Sequence, residues 1–243
     1  MARTAAKRAH ELVADQLRSR ILSGELPNGA RLPPEEELTT QFGIARTTLR
    51  EALRVLESQG LLTIRRGRGG GPEVTHPSLE PAAMALAVSL QLNGATVGDF
   101  DAARRMIEPQ IAGELARRHK AADIAALEAA IDVAAAAAKA NDSQAFVAAA
   151  AHMHATLVER SGNVTITTLS RLLDVMVNAY YANAIERSSP RQMQRAVRSY
   201  RKLLTLIEAG DSDGAVAHWQ AQMRYTATGY DPATPLALSP DRQ

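Results

Sequence analysis

In the stretch "ARTTLREALRVLESQG", residues 45–60, Leu49, Ala52, Leu53 and Leu56 recur at i, i+3, i+4 and i+7. That spacing lines one face of an α-helix. Arg46, Arg50 and Arg54 follow one another at four-residue intervals, drifting about 40° per step along the neighbouring flank. The segment therefore predicts a helix with one face for a core and a cationic side. Taken alone, such a row of arginines is more often a solvated face, here with Glu51 and Glu57 as partners. What flanks it reverses that preference.

Upstream, Val13, Leu17, Ile21 and Leu22 keep helical spacing from Ala6 to Ser23, and Gly24 suits the end of a helix. "ELPNGARLPP" reads as a loop, and Pro33 and Pro34 precede "EEELTTQFG", a short helix of about residues 35–42 that closes at Gly43. Downstream the period changes. "LLTIRRGRGGGPEVT" starts with β-formers, crosses four glycines within residues 67–71 and resumes with "EVT", the pattern of a two-stranded hairpin with a basic tip. Helix, short helix, helix and basic hairpin is the order of a winged helix-turn-helix. In such a fold the third helix lies in a DNA major groove about 12 Å wide. Arg46 and Arg50 can each donate two parallel hydrogen bonds to a guanine edge, and Thr47 and Thr48 can meet a phosphate or a thymine methyl. Arg65, Arg66 and Arg68 sit where a hairpin tip meets backbone or minor groove, and Gly67 lets that tip approach closely.

Composition agrees with a DNA partner. Residues 1–76 hold 12 Lys+Arg against 9 Asp+Glu, while residues 77–243 hold 16 against 17, so positive charge gathers at the N-terminal third of a chain whose net charge is only +2. Local clusters, rather than total charge, neutralise phosphates. The chain has no cysteine, which excludes disulfides, thiolate metal sites and Cys nucleophiles. The basic N-terminus lacks the apolar run of a secretory signal, and the longest apolar stretch, around "AAMALAVSL", is too short to span a bilayer. A cytoplasmic location, with no membrane association, is the expectation.

At 243 residues the chain is long for one domain and comfortable for two. Beyond "HPSLEP" helical periodicity returns near residues 79–92, 97–119, 123–140, 143–160, 164–187, 191–209 and 212–229. Breaks fall at Asn93-Gly94, Asn141-Asp142, Gly162-Asn163, Ser188 to Pro190 and Gly210-Asp211. The β-branched run "VTITT" at 164–168 has no partner strand nearby, and Pro109 and Gly113 should bend the helix that contains them. The expected fold is mostly α: a winged helix-turn-helix over residues 1–76, a linker and first bundle helix over 77–95, the remainder of an all-helical bundle of about seven helices over 96–229, and a loose tail over 230–243.

The segment "GARLPPEEELTTQFGIARTTLREALRVLESQGLLTIRRGRGGG" resembles the N-terminal domain of the GntR family of bacterial transcription regulators, with its Leu-Pro-x-Glu start, Arg-x-x-Leu/Val-Arg-Glu-Ala-Leu recognition helix and Gly-Leu before the wing. The resemblance implies operator contacts at Arg46, Thr47, Arg50, Arg66 and Gly67. Two positions depart from the pattern: Glu36 stands where arginine is frequent, and Ala45 where Ser or Thr is frequent.

The stretches "DFDAARRMIEPQIAGELARRH", "FVAAAAHMHATLVERSGN" and "YRKLLTLIEAGDSDGAVAHW" resemble the FCD ligand-binding domain of the FadR-like branch. Many members of that branch hold a divalent metal through one Asp and three His. Of these positions only His154 survives here, the others reading Ala150, Tyr200 and Gln222. His152 points away from His154 on the same helix, and His218, one turn before Gln222, is the one further candidate, so no metal or other cofactor is expected. The resemblance implies a ligand pocket at Arg104, His154, Tyr200 and Gln222, with Arg105 and Asn178 as further candidates. Arg104 has two readings: its fork suits a small carboxylate or other anion, or it pairs with Glu108 four residues on. The expected function is a homodimeric, effector-responsive transcription regulator, a repressor on a short inverted-repeat operator in double-stranded DNA, released by a small organic acid. Two alternatives are a constitutive DNA-binding dimer and a helical-bundle enzyme with a DNA-tethering domain. The pocket positions offer no carboxylate pair for acid–base chemistry, which disfavours the enzyme.

Overall fold

The structure is a computed structural model, which describes residues 2–65, 67, 70–173, 189–226 and 231–235. It divides into two compact units, Met1–Ser78 and Leu79–Gln243.

In the first unit α1 (Ala2–Leu22), α2 (Glu35–Phe42) and α3 (Arg46–Ser58) precede β1 (Leu62–Arg65) and β2 (Gly71–Val74). Leu49, Ala52, Leu53 and Leu56, the spaced apolar set of α3, are all buried, and they close a core with Val13, Ala14 and Leu17 of α1 and Leu38 of α2. Burying one such leucine contributes about 1.5–3 kcal/mol. The strands pair antiparallel, Leu62 opposite Val74 and Arg65 opposite Gly71. The "ELPNGARLPP" segment does more than loop. Arg31 bridges to Glu73, the Leu32 N–H donates to the Pro72 carbonyl at 2.9 Å and the Val74 N–H to the Ala30 carbonyl at 2.8 Å, so this connection forms a third rung beside β2. Its prolines and glycine hide a strand too short for any periodicity to show.

The second unit runs through α4 (Glu80–Leu92), α5 (Val97–Arg118), α6 (Ala121–Lys139), α7 (Ser143–Arg160), α8 (described over 164–173), α9 (Pro190–Glu208) and α10 (Ser212–Thr226). These are seven helices among the described residues, and "VTITT" belongs to one of them. Caps place their starts. Thr96 and Asp99 form a reciprocal capping box on α5, Asp142 accepts from the Ala145 N–H at 2.9 Å on α7, and Ser189 and Gln192 repeat the box on α9. Such caps contribute about 1 kcal/mol each. The core brings Leu127, Ala130, Ile131 and Ala134 of α6 against Ala149, Met153 and Leu157 of α7, with Tyr200 and Leu203 of α9 and Trp219 of α10. α5 continues unbroken through Pro109, which is buried. Gly113 has a packing reason: a Cβ there would stand 2.5 Å from Val216 Cγ2 of α10.

The tail expected to be loose is tied down over 231–235. The Val97 N–H donates to the Thr234 carbonyl at 2.9 Å, the Gly98 N–H to the Pro232 carbonyl at 3.0 Å, and Thr96 bridges to Pro235. The first N–H groups of a helix have no partner within it, so the tail supplies acceptors that α5 lacks; nothing in the tail's own composition foretells this. Residues 236–243 of that segment lie outside the described residues.

Candidate nucleic-acid interface and bundle interior

The turn that sets α3 against α2 is made by Gly43, at φ +62° and ψ +35°, whose N–H caps the carbonyls at the end of α2. Only a residue without Cβ adopts this left-handed conformation at no steric cost. α3 then starts at Arg46 behind an extended Ala45 that offers no side-chain cap. Burial of the Leu49 face leaves Arg46, Thr47, Arg50 and Arg54 exposed and Thr48 half-buried. Two of these arginines rest against acids of α2: Arg50 Nε donates to Glu35 Oε2 at 3.0 Å, and Arg46 Nη2 lies 4.0 Å from Glu36 Oε1. Both arginine side chains remain about two-thirds exposed, at 66% and 64%, so these are surface pairs, typically contributing no more than about 1 kcal/mol.

In the wing, Arg65 Nη2 donates to Glu73 Oε1 across the strand pair at 3.1 Å. The side chain is thereby held along the sheet rather than at its tip. Gly67 has φ +106° and open space where a Cβ would stand. Arg66 and Arg68 lie outside the described residues. Sequence reasoning singled out Glu36 only as a departure from the family pattern and did not foresee the pairing of Glu35 and Glu36 with α3, because the helix-start preference for acids already accounted for both; the pairing of Glu73 with Arg65 was not foreseen either.

The bundle interior gathers around a carboxylate that had entered only as a possible neighbour of Arg104. Glu108 is 3% exposed and accepts three hydrogen bonds: from Arg104 Nε at 2.7 Å, His154 Nδ1 at 2.6 Å and Trp219 Nε1 at 3.0 Å. Burial raises its carboxyl, but Arg104 and His154 outweigh that and hold it at about 2. An ionised carboxylate only accepts, so His154 Nδ1–H is the donor of that bond. His154 packs between Tyr200, edge-on at 6.1 Å, and Trp219 at 5.0 Å between ring centroids. Burial pushes the Tyr200 hydroxyl up, which keeps it neutral. Asp101 lies 3.9 Å from Arg104 Nη1, and burial raises its carboxyl against the pull of Arg104.

Three of the expected pocket residues, Arg104, His154 and Tyr200, thus converge on one cluster, with Arg104 engaged by Glu108. Gln222 is buried and lines a cleft of about 250 Å³ with Arg195, Ser199, His218 and Ala221. Arg105 is half-buried on α5, and Asn178 lies outside the described residues. His218 Nε2 donates to the Ser199 carbonyl at 2.9 Å, which commits that nitrogen to α9. The donor set does not fit the divalent metal held by many relatives: one imidazole, a neutral phenol and an amide fall short of the three to four ligands such a site needs. Among the described residues no group of three or more His, Asp or Glu is placed to hold a metal ion. The pairing of Arg104 with Glu108 was one of the two readings of the sequence, whereas the contacts of Glu108 with His154 and Trp219 span 46 and 111 residues, a separation that no local pattern bridges.

Comparison with known proteins converges on the same division. The model of the family described as "Bacterial regulatory proteins, gntR family" matches residues 9–70, and that of the "FCD domain" matches residues 100–225. An uncharacterised HTH-type transcriptional regulator of Mycobacterium tuberculosis is 39% identical over 80 residues, 31% of this chain and 33% of that protein. The "Putative L-lactate dehydrogenase operon regulatory protein" of Escherichia coli is 26% identical over 226 residues, 91% of this chain and 86% of that protein. The mannosyl-D-glycerate transport/metabolism system repressor of Escherichia coli is 43% identical over 63 residues, 26% of each chain. Among solved structures, the GntR protein of Streptococcus agalactiae superposes with a TM-score of 0.66 at 24% identity, covering 90% of this chain and 99% of that one, which shows the shared fold. Among the described residues no helix is long and apolar enough to cross a membrane. With a winged helix-turn-helix at its N-terminus and a helical bundle matched over residues 100–225, the chain belongs to the GntR family of bacterial regulatory proteins and is a transcription regulator of the type that carries an FCD domain.

Proposed function

We propose that the protein is a homodimeric, effector-responsive repressor whose α3 helices read a short inverted repeat and which a small carboxylate releases from DNA. The observation that supports this reading best is the exposed N-terminal turn of α3, where Arg46, Thr47 and Arg50 project beyond the Gly43 turn with no core role. Arg46 and Arg50 contact base edges, Thr47 and Thr48 contact phosphate or a thymine methyl, and the wing residues Arg65, Arg66, Gly67 and Arg68 follow the adjacent backbone. To do so the two α3 arginines leave Glu35 and Glu36, an exchange of weak surface pairs for phosphate and base contacts.

The effector site in this reading is the Arg104–His154–Tyr200 cluster. An entering carboxylate competes with Glu108 for the Arg104 guanidinium, beside the His154 ring that Glu108 holds through Nδ1. Ligand binding favours a dimer geometry whose two reading helices no longer match half-sites about 34 Å apart. A constitutive DNA-binding dimer is the competing reading. Titrating small carboxylic acids against the protein on a DNA fragment selected from a random pool separates the two: release by at least one acid, lost in Arg104→Ala, supports the proposal. Tightening by every acid that binds contradicts it, and so does indifference to all of them.

A further inference from the structure

A second cavity on the bundle belongs to neither the reading head nor the Glu108 cluster. It is a surface cleft of about 500 Å³ lined by Ser189, Arg191, Gln192, Arg195, Arg198 and Tyr225. That volume falls within the range of small-molecule sites, about 300–1,000 Å³. Arg191, Arg195 and Arg198 stand at i, i+4 and i+7 on α9, so they share one face, while Met193, Tyr200, Leu203 and Ile207 bury the other. The Arg195 guanidinium lies over the ring of Tyr225, 3.4 Å from its centroid. Stacking occupies the flat faces of a guanidinium and leaves its N–H donors in their plane, aimed sideways at whatever enters the cleft.

Several other arginines of the bundle meet carboxylates. Arg104 meets Glu108, Arg117 and Arg118 meet Glu114, Arg171 meets Glu159, and Arg201, on the same helix as the cleft, meets Asp132 at 3.0 Å. Among the described residues no carboxylate pairs with Arg191, Arg195 or Arg198. Three like charges along one helix face repel, and a concave surface with such a face suits an anion with several acceptor oxygens. The cleft of Ser199, His218 and Gln222 adjoins it through Arg195, which lines both. It adds a hydroxyl and an amide, the groups that hold the hydroxyls of a polar ligand body.

We propose that this double cleft between α9 and α10 is a binding site for a small hydroxylated phosphate monoester, with the phosphate on Arg191, Arg195 and Arg198 and the hydroxyls against Ser199 and Gln222. Guanidinium forks match the oxygen geometry of phosphate bidentately, and each charge-assisted hydrogen bond is worth more than a neutral one. The site stands apart from the carboxylate cluster around Glu108 and from DNA reading.

Isothermal titration of the full-length protein with glycerol 3-phosphate and with inorganic phosphate, in about 0.15 M salt to screen diffuse attraction, tests it without DNA or a carboxylate effector. Its outcome is thus independent of the proposed repressor function. The expected result is saturable binding of glycerol 3-phosphate, tighter than inorganic phosphate. Arg195→Ala and, separately, Arg198→Ala should each weaken it by about tenfold or more, with Arg201→Ala unchanged. Thermal unfolding without ligand checks that each variant folds, and the exposed Arg198 serves should loss of the Tyr225 stack disturb Arg195→Ala. Failure to saturate with either probe overturns the site, as does equal weakening by Arg201→Ala. Displacement of the ester by double-stranded DNA of arbitrary sequence, sensitive to the same two variants, would reassign the arginines to nucleic-acid backbone.

Discussion

Arg46, Arg50 and Arg104 each rest on or near a carboxylate. Arg50 is held by Glu35 at 3.0 Å and Arg46 approaches Glu36 at 4.0 Å, so under the proposed function the acids of α2 compete with DNA for these two arginines. Replacing Glu36 with Gln should therefore raise DNA affinity, by up to about fivefold given the modest worth of exposed pairs, and fluorescence anisotropy on a selected DNA site measures this. Arg50→Ala should cost about 1–3 kcal/mol and relax base preference; a uniform loss across site variants would assign Arg50 to phosphate instead. Glu108 poses the opposite case, a buried carboxylate on which Arg104, His154 and Trp219 converge. Removing one partner of a buried charge group typically costs about 3–5 kcal/mol, and Glu108→Ala should lower the unfolding free energy by that order. Because Glu108 is held at about 2, below its ordinary value of 4.5, its contribution is complete above about 4.5 and is lost as pH falls towards 2. Wild type and Glu108→Gln should accordingly differ most at neutral pH and converge in acid. A stability difference that does not shrink between pH 5 and 2 would show that Glu108 acts by packing alone.

At the scale of the element, legibility followed how local the determining interactions are. The reading helix, its buried face and the Gly43 turn could be read from the sequence because spacing, caps and a left-handed glycine act within a few residues. The α7 and α9 caps at Asp142 and Ser189 were marked by breaks in periodicity for the same reason. The rung at Arg31 and the tail at 231–235 were not legible, since each exists only to meet backbone groups far along the chain. The same holds for the Glu108 cluster: Arg104, Glu108 and His154 were each named, but their convergence with Trp219 waited on the packing of α5, α7 and α10. Gly113 illustrates the difference in kind. Expected to bend its helix, it also admits α10, with Val216 Cγ2 only 2.5 Å from where a Cβ would be. Gly113→Ala should destabilise the bundle by about 1–3 kcal/mol through overpacking, measurable by urea unfolding, whereas a pure bending role would leave stability nearly unchanged because alanine favours helix.

For the whole molecule, two units with separate cores correspond to two matched domains, one of the gntR type and one FCD. Transcription regulation rests on that membership; the operator's symmetry, the dimer and the effector rest on the proposal. The central claim is that the exposed turn of α3 reads sequence. Selecting binding sites from a random double-stranded DNA pool with the full-length protein, and repeating the selection with Arg46→Ala and Arg50→Ala, tests it most directly. The account predicts enrichment of an inverted repeat with half-site centres about 10 base pairs apart, and loss of preference at defined positions in each variant. Enrichment of the same sequence by wild type and both variants, or of none by wild type, would contradict it.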